Sequence, residues 1–172
     1  MIKVIAFSIL ILVGGGMYYY YYMPKHSSGT AAPLFEGKSP EGQEIALKNF
    51  KGKYVFIQFW GSWCGPCRKE NRSLVPIYEQ YHGRSYRDAE DFDIISIGID
   101  TDWDRWRNAI KKDGLIWPNH LSSLRRFDDP IAKLYGIHSI PNGYLIDPGG
   151  NIVMAQPKMA ELTEFLDDRL TK

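Results

Sequence analysis

Two cysteines three positions apart constrain this chain more than any other feature. Cys64-Gly65-Pro66-Cys67 contains the only cysteines among the 172 residues, and it follows directly on the apolar run of residues 54–60. Such a run is typical of a buried strand, and Pro66 suits the first turn of a helix, where a missing N–H costs nothing. The motif therefore marks a strand-to-helix turn, and it indicates one redox couple rather than a framework of structural disulfides.

The spacing of the two cysteines predicts different roles for them. Residues i and i+3 of a helix lie on one face, so the two sulfurs are close enough to form a small disulfide ring. A helix that begins at Cys64 offers its unpaired N–H groups and its positive dipole end to that residue, which favours a thiolate. Cys64 is therefore predicted to be the nucleophile. Cys67, one turn deeper and less exposed, is predicted to be the resolving thiol.

The motif WCGPCRKE, residues 63–70, resembles thioredoxin-like proteins, and within them the membrane-anchored TlpA/ResA group of thiol–disulfide oxidoreductases. The resemblance extends from about Leu34 to the C-terminus and includes Ile140 and Pro141. It implies an α/β thioredoxin-like fold, in which a central mixed sheet carries helices on both faces. It also implies an N-terminal hairpin extension and a central helical insertion.

The resemblance also assigns a role to Glu70, which lies three residues beyond Cys67. The matching glutamate of the TlpA/ResA group takes or gives the proton that thiol exchange moves. The alternative for Glu70 is a solvated helix charge that pairs locally with Arg68, Lys69 or Arg72. Classical thioredoxins carry a buried aspartate at the position of Gln58. Because Gln58 is neutral, proton transfer is predicted to fall to Glu70 or to water.

The predicted substrate surface combines residues from two parts of the chain. Ile140 and Pro141 resemble the cis-proline segment that the family places against the disulfide, where Ile140 would present backbone groups to an extended peptide. Trp63, Gly65 and Pro66 are predicted to complete this surface. Trp60, at the end of the apolar run, is instead predicted to lie in the core.

The remaining pattern predicts an alternation of strands and helices. A strand at residues 54–60 and a parallel strand at 92–99 flank a helix at 65–81. A second helix is predicted to be capped by Asp100 or Thr101 and to end at Gly114. The later predicted elements are a helix at 130–135, a hairpin of strands 143–147 and 151–155, and a helix at 161–170.

The amino terminus differs in composition from the rest. Residues 4–23 contain no charge, and about 1.5 Å of rise per residue makes a helix of about 30 Å, the thickness of the hydrocarbon core. The segment is predicted to be an anchor (residues 1–23), with a cleaved signal peptide as the alternative. Residues 24–33 are rich in Ser, Gly, Ala and Pro and are predicted to form a flexible linker. Residues 34–172 are predicted to form the thioredoxin-like domain.

Composition limits the function classes. A chain of this length with 44% hydrophobic residues can bury one well-packed domain. Its net charge of +1 offers no electrostatic basis for binding nucleic acid. The resemblance implies a single-pass protein of the cytoplasmic membrane, held through residues 4–23, with its catalytic domain on the extracytoplasmic (periplasmic) side.

The function implied is reduction of disulfides in extracytoplasmic proteins, cytochrome c maturation included, with a membrane thiol donor as the electron source. No cofactor or metal is predicted beyond the redox-active disulfide. Two alternatives stay open. The cysteines and His138 could bind Cu(I), as in copper-delivery proteins. A peroxiredoxin-like peroxidase shares the fold but expects a threonine three residues before the reactive cysteine, where this chain has Gly61.

Overall fold

The structure, a computed structural model, describes residues 2–22 and 25–171. Its helices and strands are α1 Ile2–Tyr22, β1 Glu36–Lys38, β2 Glu44–Ala46, β3 Lys53–Trp60, α2 Gly65–Tyr81, β4 Asp91–Gly98, α3 Trp103–Asp113, β5 His120–Leu121, α4 Pro130–Tyr135, β6 Asn142–Ile146, β7 Ile152–Ala155 and α5 Met159–Arg169. The predicted strands and helices of the domain are present to within about two residues at each end. The strand β5 was not predicted, because two residues leave no periodic pattern.

Five strands form the central sheet in the order β5-β4-β3-β6-β7. β3 runs parallel to β4, as predicted, and β4 runs parallel to β5. β6 lies antiparallel to β3 on its other side, and β7 pairs antiparallel with β6. β1 and β2 form the predicted hairpin as a separate two-stranded sheet. The predicted mixed sheet is therefore confirmed.

The strand β3 is buried on both faces, which explains its almost continuous apolar sequence. On one face Tyr54 and Phe56 belong to a core cluster with residues of α2, α3 and α5. On the other face Val55, Ile57 and Phe59 pack with β2 and α4. The predicted coverage by helices on both faces is confirmed. The end of β3, and with it the start of the cysteine motif, is held between two cores.

The first helix, α1, contains most of the predicted anchor of residues 4–23. Across residues 2–22 and 25–171, the structure offers no helix with both the length and the apolarity that a membrane span needs. Residue 23 lies outside the described residues. The anchor stays a prediction.

Residues 28–32, called here the edge segment, lie along β7 instead of forming a flexible linker. The Gly29 N–H donates to the Ile152 carbonyl and the Ile152 N–H donates to the Thr30 carbonyl, each at 2.8 Å. The Ala32 N–H donates to the Gly150 carbonyl at 2.9 Å. Small and polar residues predicted a loose linker, but backbone pairing requires no particular side chains. The edge segment thus covers an edge of the sheet that would otherwise present unpaired backbone groups. Residue 24 of the predicted linker lies outside the described residues.

Candidate active site

Cys64 and Cys67 form a disulfide at the start of α2, with Cα atoms 5.2 Å apart. Cys64 is the N-cap of the helix, and its sulfur accepts a hydrogen bond from the Cys67 backbone N–H at 3.2 Å. Pro66 lies in the first turn, as predicted. Cys64 is 6% exposed whereas Cys67 is completely buried. The sulfur predicted to be the nucleophile is therefore the more accessible of the two.

The segment Ile140-Pro141 lies against the disulfide, as the resemblance implies. The Ile140-Pro141 peptide bond is cis. The Ile140 carbonyl oxygen is 3.9 Å from the Cys64 sulfur, and Pro141 is exposed to solvent. Gly65 and Pro66 are also exposed. The structure therefore brings together, around the sulfur of Cys64, the residues that the sequence predicted as a substrate surface.

Trp63 is the exposed aromatic residue of this surface, with 48% of its area accessible. Its indole Nε1–H donates to the Ile99 carbonyl at 2.8 Å, which fixes the ring. Gly61 lies beneath it, and a Cβ atom there would be 2.8 Å from Trp63 Nε1 and 3.1 Å from Ile140 Cδ1. Because real Cβ atoms do not approach that closely, a side chain at Gly61 would displace the indole. Trp60 is fully buried, as predicted.

Asp100 is a residue of the site that the sequence reasoning missed. Either Asp100 or Thr101 was predicted to cap the helix α3, but the cap is Asp102, which accepts a hydrogen bond from the Arg105 N–H. The Asp100 carboxylate instead accepts hydrogen bonds from the Ser62 N–H and hydroxyl, two residues before Cys64. Burial raises the pKa of Asp100, and the Ser62 donors oppose that rise. Its position two residues after β4, at the carboxyl edge of parallel strands, was the signal available in the sequence.

A series of hydrogen-bonded polar side chains connects β4, β3, α2 and α3. The Trp117 indole N–H donates to Ser96 Oγ at 2.9 Å, and the Ser96 hydroxyl donates to Gln58 Oε1 at 2.9 Å. Gln58 Nε2 donates to Asn71 Oδ1 at 2.8 Å. Asn71 Nδ2 donates to Asp113 Oδ2 at 2.9 Å. Gln58, Asn71 and Ser96 are completely buried, and these hydrogen bonds take the place of those that their polar groups would make with water.

Both ends of this series fix its direction. An indole N–H can only donate and a carboxylate can only accept, so every amide between Trp117 and Asp113 has one favourable orientation. Asn71 must turn its oxygen to Gln58, and Gln58 must turn its oxygen to Ser96. The Gln58 NH2 group is therefore held toward α2, where its second hydrogen remains for another acceptor.

Glu70 is half-buried on α2, close to this amide. Burial raises the pKa of the Glu70 carboxyl above its ordinary value, and an interaction with the Gln58 side chain opposes part of the rise. Two of the three cations named in the alternative, Arg68 and Arg72, form ion pairs with Asp113. Among the described residues no ion pair joins Glu70 to Lys69 either, so a locally paired surface charge is not supported. A carboxyl with a raised pKa holds its proton at pH values where an exposed glutamate has lost it. Its role in proton transfer stays a prediction.

Replacing Glu70 with glutamine is expected to remove one limb of the pH profile of thiol exchange. Since the pKa of Glu70 is raised, that limb in the unchanged protein should lie above the usual range of a glutamate. We expect the variant to lose about tenfold or more in rate where proton transfer limits exchange, a low value for general acid–base catalysis. The measurement is the rate of exchange from pH 4 to pH 8.

Glu79→Gln is the matched control for this prediction, because Glu79 lies exposed on the same helix. It should leave the profile unchanged. An identical profile in the Glu70→Gln variant and in the unchanged protein would contradict the proton-transfer role.

Two further groups of possible ligands lie outside this arrangement. His138 is exposed between α4 and β6. Within the described residues, ligand atoms of His82, Asp91 and Asp93 lie within 4.8 Å of one another, at the end of the sheet opposite Cys64. Lys53 Nζ lies 3.2 Å from Asp91 and 3.6 Å from Asp93, so an ammonium group already balances these carboxylates. The cluster is best described as an ion-pair network.

Comparisons with known proteins agree with this geometry. The AhpC/TSA family model matches residues 28–155. The thiol-disulfide oxidoreductase ResA of Bacillus thuringiensis subsp. konkukian is 32% identical over 148 residues, which cover 86% of this chain and 79% of that protein.

Two solved structures of similar fold are also thiol-disulfide oxidoreductases. The thioredoxin domain of one from Bacteroides vulgatus has a TM-score of 0.72 and 28% identity, covering 83% of this chain and 96% of that one. One from Bacteroides fragilis has a TM-score of 0.70 and 28% identity, covering 81% and 98%. Since these matches span most of the chain and agree with the redox pair at the start of α2, we conclude that it belongs to the AhpC/TSA family and is a thiol–disulfide oxidoreductase of thioredoxin-like fold.

Proposed function

We propose that this protein reduces disulfides of extracytoplasmic proteins, with Cys64 as the attacking thiol and Cys67 as the resolving thiol. The observation that carries the proposal is the unequal burial of the two sulfurs beside Ile140 and Pro141. Cys64 keeps 6% of its area exposed, through which a substrate disulfide can approach, whereas Cys67 is completely enclosed. Attack by the accessible thiol and resolution by the enclosed one follow from this arrangement.

The reaction begins with both cysteines reduced. The Cys64 thiolate attacks one sulfur of the substrate disulfide, the substrate S–S bond breaks, and the departing thiolate takes a proton. The Cys67 thiolate then attacks the Cys64 sulfur of the mixed disulfide and releases the second substrate thiol. Two electrons and two protons have passed to the substrate, and the protein holds the Cys64–Cys67 disulfide found in this structure.

Two features near the sulfurs would assist these steps. The positive end of α2 and the Cys67 N–H stabilise negative charge on the Cys64 sulfur. Glu70, whose pKa is raised by burial, would take the proton of Cys67 and return it to a departing thiolate. An extended substrate segment would lie on Trp63, Gly65 and Pro66 and pair with the backbone at Ile140.

The electrons need a source, because the protein leaves each cycle oxidised. We propose a thiol donor in the cytoplasmic membrane, with residues 4–23 as the segment that holds the protein there and the domain facing the periplasmic side. The uncharged composition of residues 4–23 and the similarity to ResA support this setting. The haem-attachment cysteines of apocytochrome c are the substrate that the resemblance implies.

The alternative functions fit less well. A peroxidase would carry a threonine at the position of Gly61, where a Cβ atom would collide with the Trp63 indole. Copper binding would need the two thiols and His138, which is exposed on a loop. No specific observation favours either of them over disulfide exchange.

The reduction potential of the Cys64–Cys67 pair tests the proposal. The full chain, equilibrated against thiol buffers of defined potential, is expected to have a value near or below about −250 mV, in the range of reductants such as thioredoxin. A value above about −150 mV would make it a donor of disulfides and overturn the reductant role. Failure of the pair to cycle, together with stoichiometric Cu(I) binding that blocks the thiols, would replace the proposal with copper binding.

A further inference from the structure

A positively charged side chain lies over the indole ring of Trp63. The guanidinium carbon of Arg126 is 4.7 Å from the centroid of the indole ring. This distance is within the range of a cation–π interaction, which arginine forms more often than lysine. Phe127 contacts the same indole edge-on, with ring centroids 6.5 Å apart. The surface beside the redox-active Cys64 therefore includes the positive charge of Arg126, stacked on Trp63.

The loop that holds Arg126 has a defined conformation. Leu124 and Arg126 both have left-handed backbones, with φ of 59° and 52°, which is uncommon for residues other than glycine. The Arg126 N–H donates to the Asp100 carbonyl at 3.2 Å, and the Leu124 N–H donates to Ser122 Oγ at 3.2 Å. The Ser122 hydroxyl donates to the Gly98 carbonyl at 2.7 Å. Strained residues held by several bonds often mark functional sites, and this loop is tied to the end of β4 beside the disulfide.

The charge of Arg126 is available to a ligand. Among the described residues, no carboxylate lies within 4 Å of its guanidinium nitrogens. The buried carboxylate of Asp100 interacts electrostatically with Arg126, but it accepts its hydrogen bonds from Ser62. Of the two cations within the motif itself, Arg68 is held by Asp113, and Lys69 is exposed on α2. Arg126 is thus an exposed cation, stacked on Trp63, whose hydrogen-bond donors are not engaged by any carboxylate of the described residues.

We propose that Arg126, stacked on Trp63, is a specificity site for an acidic residue that flanks the reactive cysteine of the substrate protein. A guanidinium offers several N–H donors in a plane, which match the two oxygens of a carboxylate. Because the loop already fixes its position, little conformational entropy is lost on binding. This inference rests on the proposed function, since it concerns the substrate of the same redox pair.

Two synthetic peptides test the inference. Each contains one intramolecular disulfide, and glutamates flank its cysteines in the first peptide whereas glutamines replace them in the second. The reduced full chain is mixed with each peptide, and the second-order rate constant for oxidation of the protein by the peptide is measured. We expect the acidic peptide to react about fivefold faster at low salt, a modest effect for electrostatic attraction. The ratio should approach one in 1 M salt, where the screening length is about 3 Å.

Variants assign the preference to one residue. Arg126→Asn is expected to bring the ratio close to one, and asparagine tolerates the left-handed backbone of this position. Arg126→Lys keeps the charge and should retain part of the preference. Arg125→Asn is the matched control, because Arg125 is the exposed neighbour of Arg126 and interacts electrostatically with Asp128. The ratio of the two peptide rate constants should be unchanged in this variant.

The outcomes separate the inference from the proposed function. Equal rate constants for the two peptides in the unchanged protein would overturn the acidic specificity while leaving disulfide reduction in place. An equal loss of preference in the Arg125 and Arg126 variants would overturn the assignment to Arg126. Failure of every peptide, and of a small neutral disulfide, to oxidise the reduced protein would instead overturn the proposed function.

Discussion

Replacing Cys67 with serine is expected to turn the protein into a trap for its substrates. Cys64 can still attack a disulfide, but nothing inside the protein then releases the mixed disulfide. Intramolecular thiols act at very high effective concentration, so their loss should lower multiple turnover by at least about a thousandfold. Mixed disulfides through Cys64 should accumulate, and mass spectrometry after acid quenching of the thiols would identify them.

Cys64→Ser is the control that distinguishes the roles of the two sulfurs. Cys67 is completely buried, so this variant should form no mixed disulfide with a protein substrate at a comparable rate. Trapping through Cys67 in the Cys64→Ser variant, at the rate seen for Cys64, would contradict the assignment of the nucleophile.

Asp113→Ala is expected to cost about 3 kcal/mol of unfolding free energy, the lower end of the range for breaking a buried ion pair. The side chain of Asp113 is 1% exposed, and it accepts hydrogen bonds from Arg68 and Asn71. Its removal leaves these donors without an acceptor and takes away the end that fixes the direction of the amide chain to Gln58. The measurement is chemical denaturation of the oxidised protein.

The pH dependence of this effect follows from the pKa of Asp113. Burial alone would raise it, but hydrogen bonds from Arg68 and Asn71 outweigh burial and hold the pKa below the ordinary 3.8. The stabilisation is therefore complete above about pH 4 and is lost as the pH falls through the lowered value. The difference between the variant and the unchanged protein should shrink in that acidic range.

Asp104→Ala is the matched control, because Asp104 is exposed in the first turn of the same helix, α3. It should cost only a few tenths of a kcal/mol through the helix dipole. Equal losses in the two variants would contradict the specific role of Asp113.

Local patterns made the main elements predictable from the sequence. The apolar run that became β3, and the cysteine motif at the start of α2, each lie within a few consecutive residues. The parallel strand β4 followed from the helix that crosses between the two runs. The cysteine pair and the cis Ile140-Pro141 segment were also found, because short motifs carry them.

The remaining parts of the site depend on contacts between distant segments. The polar chain joins Trp117, Ser96, Gln58, Asn71 and Asp113, which have no common motif. Arg126 contacts Trp63 from a loop with left-handed backbones at residues 124 and 126, a conformation that no local sequence pattern predicts. Asp100 was expected to cap a helix, since an aspartate before an amphipathic run has the same appearance whether it caps the helix or bonds to Ser62. Such choices are made by tertiary contacts rather than by local preference.

Contacts just ahead of the edge segment also limit how far the domain can move from α1. Lys25 and His26 already contact the Leu134 carbonyl, so the folded part of the chain begins almost as soon as its description resumes. Three peptide units separate Tyr22 from Lys25, and a fully extended chain covers at most about 11 Å over that distance. If a membrane holds the first helix as proposed, the short connection keeps the domain, and with it the disulfide, close to the membrane surface. The enzyme would then work at nearly constant height above the lipid, and its substrates would have to come to it.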